Sequence, residues 1–444
     1  MFKKVLIANR GEVAVRVIRA CKELGIRTLA VYSEADRDAL HVRLADGAIC
    51  IGPAKSADSY LNTSALMSAM EVADVEAVHP GYGFLAENAA FAEACERCGI
   101  KFIGPTSQVM RLMGNKIQAK RIAEEVKVPV LPWSHHALSE EKEALEVSKT
   151  IGFPLLIKAA SGGGGRGMKL VHSQASLASA FHLAKREALT AFGDPEVFIE
   201  RFCEQPRHIE IQIMADEQGN VVHLGERECS IQRRHQKIIE EAPSPFVDGR
   251  LRFRMGDAAT KLAKAIGYTN AGTVEFLVDA KRNFYFMEMN TRIQVEHPVT
   301  EMVTGVDLLK EQMSVAAGRR LSVRQRNVHL KGHSIECRIN AEDPVTYVPS
   351  PGRITGICFP GGPGIRLDTH IYSGYMVSPH YDNLLAKLIV HADTREEAII
   401  RMTRALEEFQ IDGVKTNIAL HLKIMRNHDF IDGKLDIDFL SRFQ

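Results

Sequence analysis

The sequence predicts an α/β chain of about three domains, with a parallel sheet first and an α+β part toward the C-terminal end. Short apolar strands alternate with amphipathic helices up to about residue 113, which implies a parallel sheet covered by helices on both sides. A four-glycine run then separates two strands of a smaller unit, and from about residue 204 the pattern turns to alternating, hairpin-type strands. The length of 444 residues fits that count at roughly 100–200 residues per domain.

In chain order, residues 5–8, 28–32, 48–51, 77–79 and 102–104 read as the parallel strands. Between the first two, Val13, Val17, Ile18, Cys21 and Leu24 recur at helical spacing over residues 12–24 and fall on one face. The first strand–helix turn is A-N-R-G-E, not a G-x-G-x-x-G fingerprint, and no G-x-x-x-x-G-K-[ST] occurs. Dinucleotide dehydrogenase and P-loop chemistries are therefore unsupported. A helix over 115–126 and a proline-marked junction at 128–132 give the expected division: 1–113, a helical linker 114–130, a small domain 131–203, and a mixed domain 204–444 that closes with helices at 395–409 and 416–426. The small domain reads as helix, strand 155–160, glycine run, strand 169–172, helix, strand 197–202.

Composition narrows the function classes. The chain is 45% hydrophobic and 25% charged, with 56 basic against 55 acidic residues, so it carries no electrostatic footprint for nucleic acid or an anionic membrane. No apolar run approaches the roughly 18 residues of a membrane span. The opening M-F-K-K-V-L-I-A-N-R-G is too short an apolar stretch for a signal peptide. Eight scattered cysteines suit a reducing cytoplasm, and the pair Cys95 and Cys98 has no second pair of ligands nearby for zinc. A cytoplasmic chain is expected.

The chemistry concentrates in a few segments. Residues 288–301, E-M-N-T-R-I-Q-V-E-H-P-V-T-E, hold three carboxylates, an Asn, an Arg, a Gln and a His. Upstream, strand 272–278, a turn at 280–282 and strand 283–289 form a hairpin. If its centre lies between Lys281 and Arg282, Glu275 falls opposite Glu288, and Asn290 shares their face. Two carboxylates and an amide oxygen on one face call for a hard divalent cation such as Mg²⁺. The loop at 161–168, with Lys158 before it and Arg166 inside it, suits a mobile segment whose bare N–H groups fold over phosphates. Lys116 opens the linker helix. Residues 197–203 read as a hinge strand with backbone groups free for a base. His208, Glu210 and Gln212 alternate with Ile209, Ile211 and Ile213, and the basic stretch 233–237 suits an anion-binding loop.

The order of these parts is that of the ATP-grasp fold. The strings I-A-N-R-G-E, H-P-G-Y-G-F-L-A-E-N, I-K-A-A-S-G-G-G-G-R-G-M, P-R-H-I-E-I-Q, Q-R-R-H-Q-K, R-I-Q-V-E-H-P-V-T-E and E-C-R-I-N-A-E-D-P together resemble the biotin carboxylase family from end to end. The resemblance implies that Lys116, Lys158, Gly164 and Gly165 hold ATP phosphates. It assigns the adenine hinge to Glu200, Arg201 and Cys203, and further nucleotide contacts to His208, Gln232 and His235. Glu275 and Glu288, with Asn290 beside them, would hold Mg²⁺, or Mn²⁺ in its place. Lys237, Arg292, Gln294 and the N–H of Val295 would cradle bicarbonate, Glu296 would be the general base, and Arg338 would stabilise the biotin enolate. Arg16, Arg19 and Glu23 would lie at a homodimer contact. Two departures stand out: Cys203 where a Leu-like residue is usual, and Trp133 where Gly is typical.

The implied activity is carboxylation of biotin by ATP and bicarbonate, as the first half-reaction of an acetyl-CoA carboxylase. A pyruvate or propionyl-CoA carboxylase is the alternative acceptor class. Another ATP-grasp ligase would not need Arg292, Glu296 and Arg338 together, and a nucleotide-binding scaffold would not need Glu275, Glu288 and Glu296. The sequence shows neither a biotin-bearing module nor a carboxyltransferase, so a biotin carboxyl carrier protein and carboxyltransferase subunits are the expected partners.

Overall fold

The computed structural model describes residues 1–162 and 167–442. The expected phosphate contacts Gly164 and Gly165, with Arg166, lie outside the described residues. In the first sheet β1 (Lys4–Ile7), β2 (Arg27–Ser33), β3 (Gly47–Gly52), β4 (Ala77–His79) and β5 (Lys101–Phe102) run parallel in the order β3-β2-β1-β4-β5. The strand order reverses between β1 and β4, which opens a crevice at their carboxyl ends. Asn9, just past β1, closes the floor of that crevice by donating to the carbonyls of Pro80 (2.7 Å) and Tyr82 (2.8 Å). Gly81 has φ +62°, and a Cβ there would stand 2.9 Å from Asn9 Nδ2, so the H-P-G-Y-G turn needs glycine at this position.

A second, antiparallel sheet comprises β6 (Leu155–Ala159), β7 (Lys169–Val171) and β8 (Val197–Arg201) in the order β7-β6-β8, backed by the helices Glu141–Ile151 and Gln174–Phe192. The linker helix, Lys116–Glu125, is tied to it where the Lys116 N–H donates to the Ala160 carbonyl (2.9 Å).

The third sheet has eight antiparallel strands. Six are β9 (Arg207–Ala215), β10 (Val221–Arg233), β11 (Gln236–Ala242), β12 (Asn270–Val278), β13 (Phe284–Asn290) and β14 (His333–Asn340), in the order β13-β12-β9-β10-β11-β14. They continue into the strands Leu384–Ala392 and Ile365–Thr369. Ile209, Ile211, Ile213, Val274, Phe276 and Phe286 pack beneath this sheet against Met255, Ala259 and Leu262 of the helix Gly249–Ala265. The sequence pattern does not single out that helix, nor His297–Thr304, which follows the carboxylate hairpin. The opposite face of β9 carries His208, Glu210 and Gln212, as the alternation predicts.

The hairpin reaches its expected pairing by an unexpected route. Near the turn the partners are Val278↔Phe284 and Phe276↔Phe286, a register centred on Lys281 itself. A β-bulge then leaves Met287 unpaired, and beyond it the partners become Glu275↔Glu288 and Val274↔Met289. Were Met287 paired regularly, Glu288 would share the face of Phe284 and Phe286, which is the core. One extra residue therefore moves a carboxylate from the apolar layer to the polar face. Deleting Met287 makes Phe286 and Glu288 neighbours in a regular ladder, so Glu288 should stay opposite Glu275 on the polar face. Soluble, cooperatively melting protein is therefore expected from the deletion, and Met287→Ala, which keeps the bulge, should melt within a few degrees of the parent.

Candidate active site

The site sits on the polar face of the third sheet, where it meets the crevice of the first. At its centre is one ammonium. Lys237, at the start of β11, donates to Glu210 (2.5 Å, from β9), Glu296 (2.6 Å, just before the helix His297–Thr304) and Glu275 (3.0 Å, from β12). Burial opposes its charge, but the three carboxylates outweigh burial and raise its pKa well above the ordinary lysine value. Three buried carboxylates around one cation need further compensation. Arg227, fully buried on β10, supplies it to Glu210 and also donates to Gln212 (2.6 Å), Thr300 (2.9 Å) and Thr273 (3.1 Å). Arg338, on β14, bridges Glu296 (3.0 Å) and Glu240 (2.7 Å). His208 Nε2 lies 3.1 Å from Glu275. Burial pushes the Glu296 carboxyl up, yet Lys237, Arg338 and Arg227 together hold it well below the usual carboxylate range. It is ionised at neutral pH.

The loop from Thr291 to Glu296 is fixed from both sides. Glu87, in the H-P-G-Y-G-F-L-A-E-N segment, accepts from the Thr291 N–H (2.9 Å) and from Arg292 Nε (2.9 Å). Arg292 Nη1 also donates to Gln294 Oε1 (2.9 Å), the Gln294 amide donates to Glu275 (3.2 Å), and the Val295 carbonyl accepts from Lys387 (2.9 Å). Glu275 further accepts from Asn290 (2.9 Å), and Glu288 accepts from Lys116 (2.6 Å). Two carboxylates paired across strands beside an amide oxygen are an all-oxygen donor set that fits a hard divalent cation. His208, Glu210 and Glu275 also converge closely enough to ligate a metal. The Glu210 side chain is 0% exposed, whereas those of Glu275 and Glu288 keep 6% and 29%, so Glu275 and Glu288 form the pair an entering ion can reach.

Of the residues assigned to the nucleotide from the sequence, His208 and Gln232 meet this centre, Arg201 donates from its side chain to the Ile151 carbonyl (2.9 Å), and His235 is exposed. Lys158, on β6, sits against one oxygen of Glu200, and Lys120 lies 2.8 Å from the other. Burial would raise the Glu200 carboxyl, but the two lysines hold it at about 2. Gln232 donates to the Cys229 carbonyl (2.8 Å) and lies 2.7 Å from His208 Nδ1. Cys203 follows β8, half-buried, and burial raises its thiol to about 11.

Three expectations need correction. The hinge backbone is not wholly free: the N–H of Arg201 donates to the Pro132 carbonyl (2.8 Å) and that of Phe202 to Pro154 (3.1 Å), because both prolines line the strand. The basic stretch is not one anion-binding loop. Arg234 and His235 take positive φ at the exposed tip of the β10–β11 hairpin, Arg233 is committed to Glu342 (2.6 and 2.8 Å), and Lys237 reaches the carboxylate centre. Arg16 is not on a free face. It is buried against Glu301 (3.0 Å) and Asp307 (2.7 Å), whereas Arg19 is exposed.

Sequence reasoning passes over Glu87, Lys120 and Arg227, and takes Glu240 only as one of two paired glutamates after the basic stretch. Glu87 stands inside one of the family strings. Lys120 and Arg227 carry no signal, since a lone Lys or Arg on a helix or strand reads as a solvated side chain.

Comparison with known proteins identifies related chains. The family model for the biotin carboxylase N-terminal domain matches residues 1–110, the ATP-binding domain of the carbamoyl-phosphate synthase L chain matches 115–324, and the biotin carboxylase C-terminal domain matches 336–442. Biotin carboxylase 1 of Bacillus subtilis is 53% identical, over 100% of this chain and 99% of that protein.

The chain belongs to the biotin carboxylase family.

It is accordingly an ATP-dependent ligase with the ATP-grasp architecture expected from its motifs. A biotin carboxylase from Campylobacter jejuni, crystallised as a β,γ-ATP complex, superposes with a TM-score of 0.98 at 49% identity, covering 100% of this chain and 99% of that one. The biotin carboxylase domain of Hydrogenobacter thermophilus 2-oxoglutarate carboxylase, a dimer with MgADP, ADP and bicarbonate, gives 0.96 at 50% identity, covering 99% and 97%.

Proposed function

We propose that the chain carboxylates N1′ of biotin on a biotin carboxyl carrier protein, using ATP and bicarbonate and releasing ADP and phosphate. The observation that carries this reading is the single cluster in which Lys237, Glu296 and Arg338 touch, with Arg292 and Gln294 alongside. Bicarbonate is a weak nucleophile, and its dianion is repelled by ATP. Lys237 and Arg292 would neutralise it while Glu296 takes its proton. The depressed pKa of Glu296 is consistent with this order. Lys237 and Arg338 are the groups that depress it, and as they turn to substrate the carboxylate becomes a stronger base. Oxygen attack on the γ-phosphorus, with departure of ADP, gives carboxyphosphate. That anhydride breaks to CO₂ and phosphate, phosphate takes the N1′ proton, and N1′ bonds to CO₂ while Arg338 holds the enolate-like ureido oxygen. Lys116 and Lys158 would hold ATP phosphates, and Glu200, Arg201, Cys203, His208, Gln232 and His235 would line the rest of the nucleotide site. A Mg²⁺ held by Glu275 and Glu288, with Asn290 beside them, would neutralise phosphate charge. The MgADP and bicarbonate bound by the Hydrogenobacter domain support this set.

The complex served is proposed to be a cytoplasmic acetyl-CoA carboxylase of fatty acid biosynthesis, with carrier and carboxyltransferase as separate subunits. The Bacillus protein, matched over 99% of its length, is named as a biotin carboxylase, which supports the carboxylase reading and names no acceptor. The 50% identity to a 2-oxoglutarate carboxylase domain makes a keto-acid acceptor the second reading. Capture of the biotinylated partner and assay of the complex with acetyl-CoA, propionyl-CoA, pyruvate and 2-oxoglutarate decides between them. The chain is further proposed to be a homodimer through its first helix, Gly11–Glu23, where Arg19 is exposed and Glu23 reaches Lys310 (2.5 Å). Reversing Arg19 and Glu23 together should weaken association in sedimentation runs, and an unchanged dimer would place the interface elsewhere.

Glu296 acts before ATP is cleaved and Arg338 mainly after it. Glu296→Gln should therefore lower bicarbonate-dependent ATP cleavage and biotin carboxylation together, by at least ~10²-fold. Arg338→Gln should lower carboxylation ~10-fold or more beyond its effect on biotin-independent ATP cleavage. Parallel initial rates of phosphate release and carboxybiotin formation test both. Equal losses in Arg338→Gln, with ATP cleavage spared in Glu296→Gln, would reassign the two residues to positioning.

A further inference from the structure

Lys120 is a lysine that neither the sequence motifs nor the chemistry above uses, yet it is only 2% exposed. It lies one turn beyond Lys116 on the helix Lys116–Glu125. Its ammonium is 2.8 Å from Glu200 Oε2, and 5.9 and 6.0 Å from the ring centres of Trp133 and Phe198. Those rings form a small apolar cluster with Ile117 and Ala160, and Trp133 meets Phe198 edge-on. Glu200 is 1% exposed, and its other oxygen faces Lys158. A buried carboxylate is thus shared by two lysines, one of them proposed to bind phosphate.

The pair Lys116–Glu288 shows the same problem solved differently. Each lysine that turns to a phosphate oxygen loosens its hold on a carboxylate. Glu288 then has the proposed divalent cation to pair with. Glu200 has no such replacement, and a buried carboxylate that loses its last partner is strongly destabilised.

We propose that Lys120 is a positioning residue for nucleotide binding: it stays on Glu200 as a resident counter-ion and so lets Lys158 turn from that carboxylate to a phosphate. The inference rests on the nucleotide reading of Lys116 and Lys158. Trp133 has a place in the same device. With Phe198 it walls the ammonium from water and offers its ring to a cation, a role glycine at that position could not fill. Burial pulls the Lys120 pKa down, and Glu200 is the main influence opposing it. The other groups facing Glu200 are Lys158 from β6, Lys116 from the Lys120 helix, and the Cys203 thiol just past Glu200 on its own segment.

Binding of MgADP to the whole chain, measured by calorimetry, tests the proposal. Lys120→Met should raise Kd ~10-fold or more, with KM for ATP rising alike and kcat at saturating ATP nearly unchanged, as for loss of uniform binding. It should also make binding proton-linked. With no second lysine, Glu200 has a low pKa while Lys158 is on it and a raised one when Lys158 leaves, so binding takes up a proton. Affinity in the variant should therefore increase as pH falls from about 8 to about 6, a dependence through Glu200 that the parent lacks. Lys120→Arg should bind like the parent. Lys120→Met with Glu200→Gln should recover most of the lost affinity, because the unpaired charge is gone. If Lys120→Met does not fold, Lys120→Gln carries the same expectations. A parent that fails to bind MgADP would overturn the nucleotide reading and this inference with it. A parent that binds, with a Lys120 variant that binds equally well or is not relieved by Glu200→Gln, would overturn this inference alone.

Discussion

One buried ammonium sets the terms for the rest of the site. Lys237 holds Glu210, Glu275 and Glu296 within 2.5–3.0 Å of a single nitrogen. Three carboxylates cannot gather in a protein interior unless their repulsion is cancelled locally. Around Lys237 the chain therefore places Arg227, Arg338 and His208, drawn from three different strands. The result is a site whose charges are satisfied by one another and are therefore poised to be traded. A dianion or a phosphate entering here replaces one charged partner with another, so it need not enter an apolar cavity.

The same logic recurs at the nucleotide end. Lys116 is balanced by Glu288, and Lys158 with Lys120 by Glu200. Cations proposed to meet phosphates are held in place beforehand by carboxylates, which limits the side-chain entropy lost when substrate arrives. The sheet makes this possible. Its apolar face buries Ile209, Ile211, Ile213, Val274 and Phe276 against helices, which leaves the other face of the same strands rigid and free to carry charge.

Much of this was legible in the residues. Period-two alternation in 207–215 separated the isoleucines from His208, Glu210 and Gln212, and strand–helix alternation gave the parallel sheet nearly strand by strand. The pairing of Glu275 with Glu288 was also legible, although through a turn centre one register off that the Met287 bulge corrects. A bulge leaves little trace in the sequence: Met287 is as apolar as its neighbours, and only strand pairing shows that it has no partner. The basic stretch 233–237 misled for a related reason. Adjacent cations look like one patch in sequence, but a tight hairpin turn sends Arg233, His235 and Lys237 to three different surroundings.

The sequence by itself determined the fold class, the family, and the residue types in contact at the centre, because periodicity and short motifs are local properties of the chain. Only the tertiary structure decided which charges are paired. Glu87 on Arg292, Arg227 on Glu210, Glu240 on Arg338 and Lys120 on Glu200 join segments between 17 and 205 residues apart. An isolated Arg, Glu or Lys in a strand or helix is indistinguishable from a solvated one until the partner that removes it from water is in place.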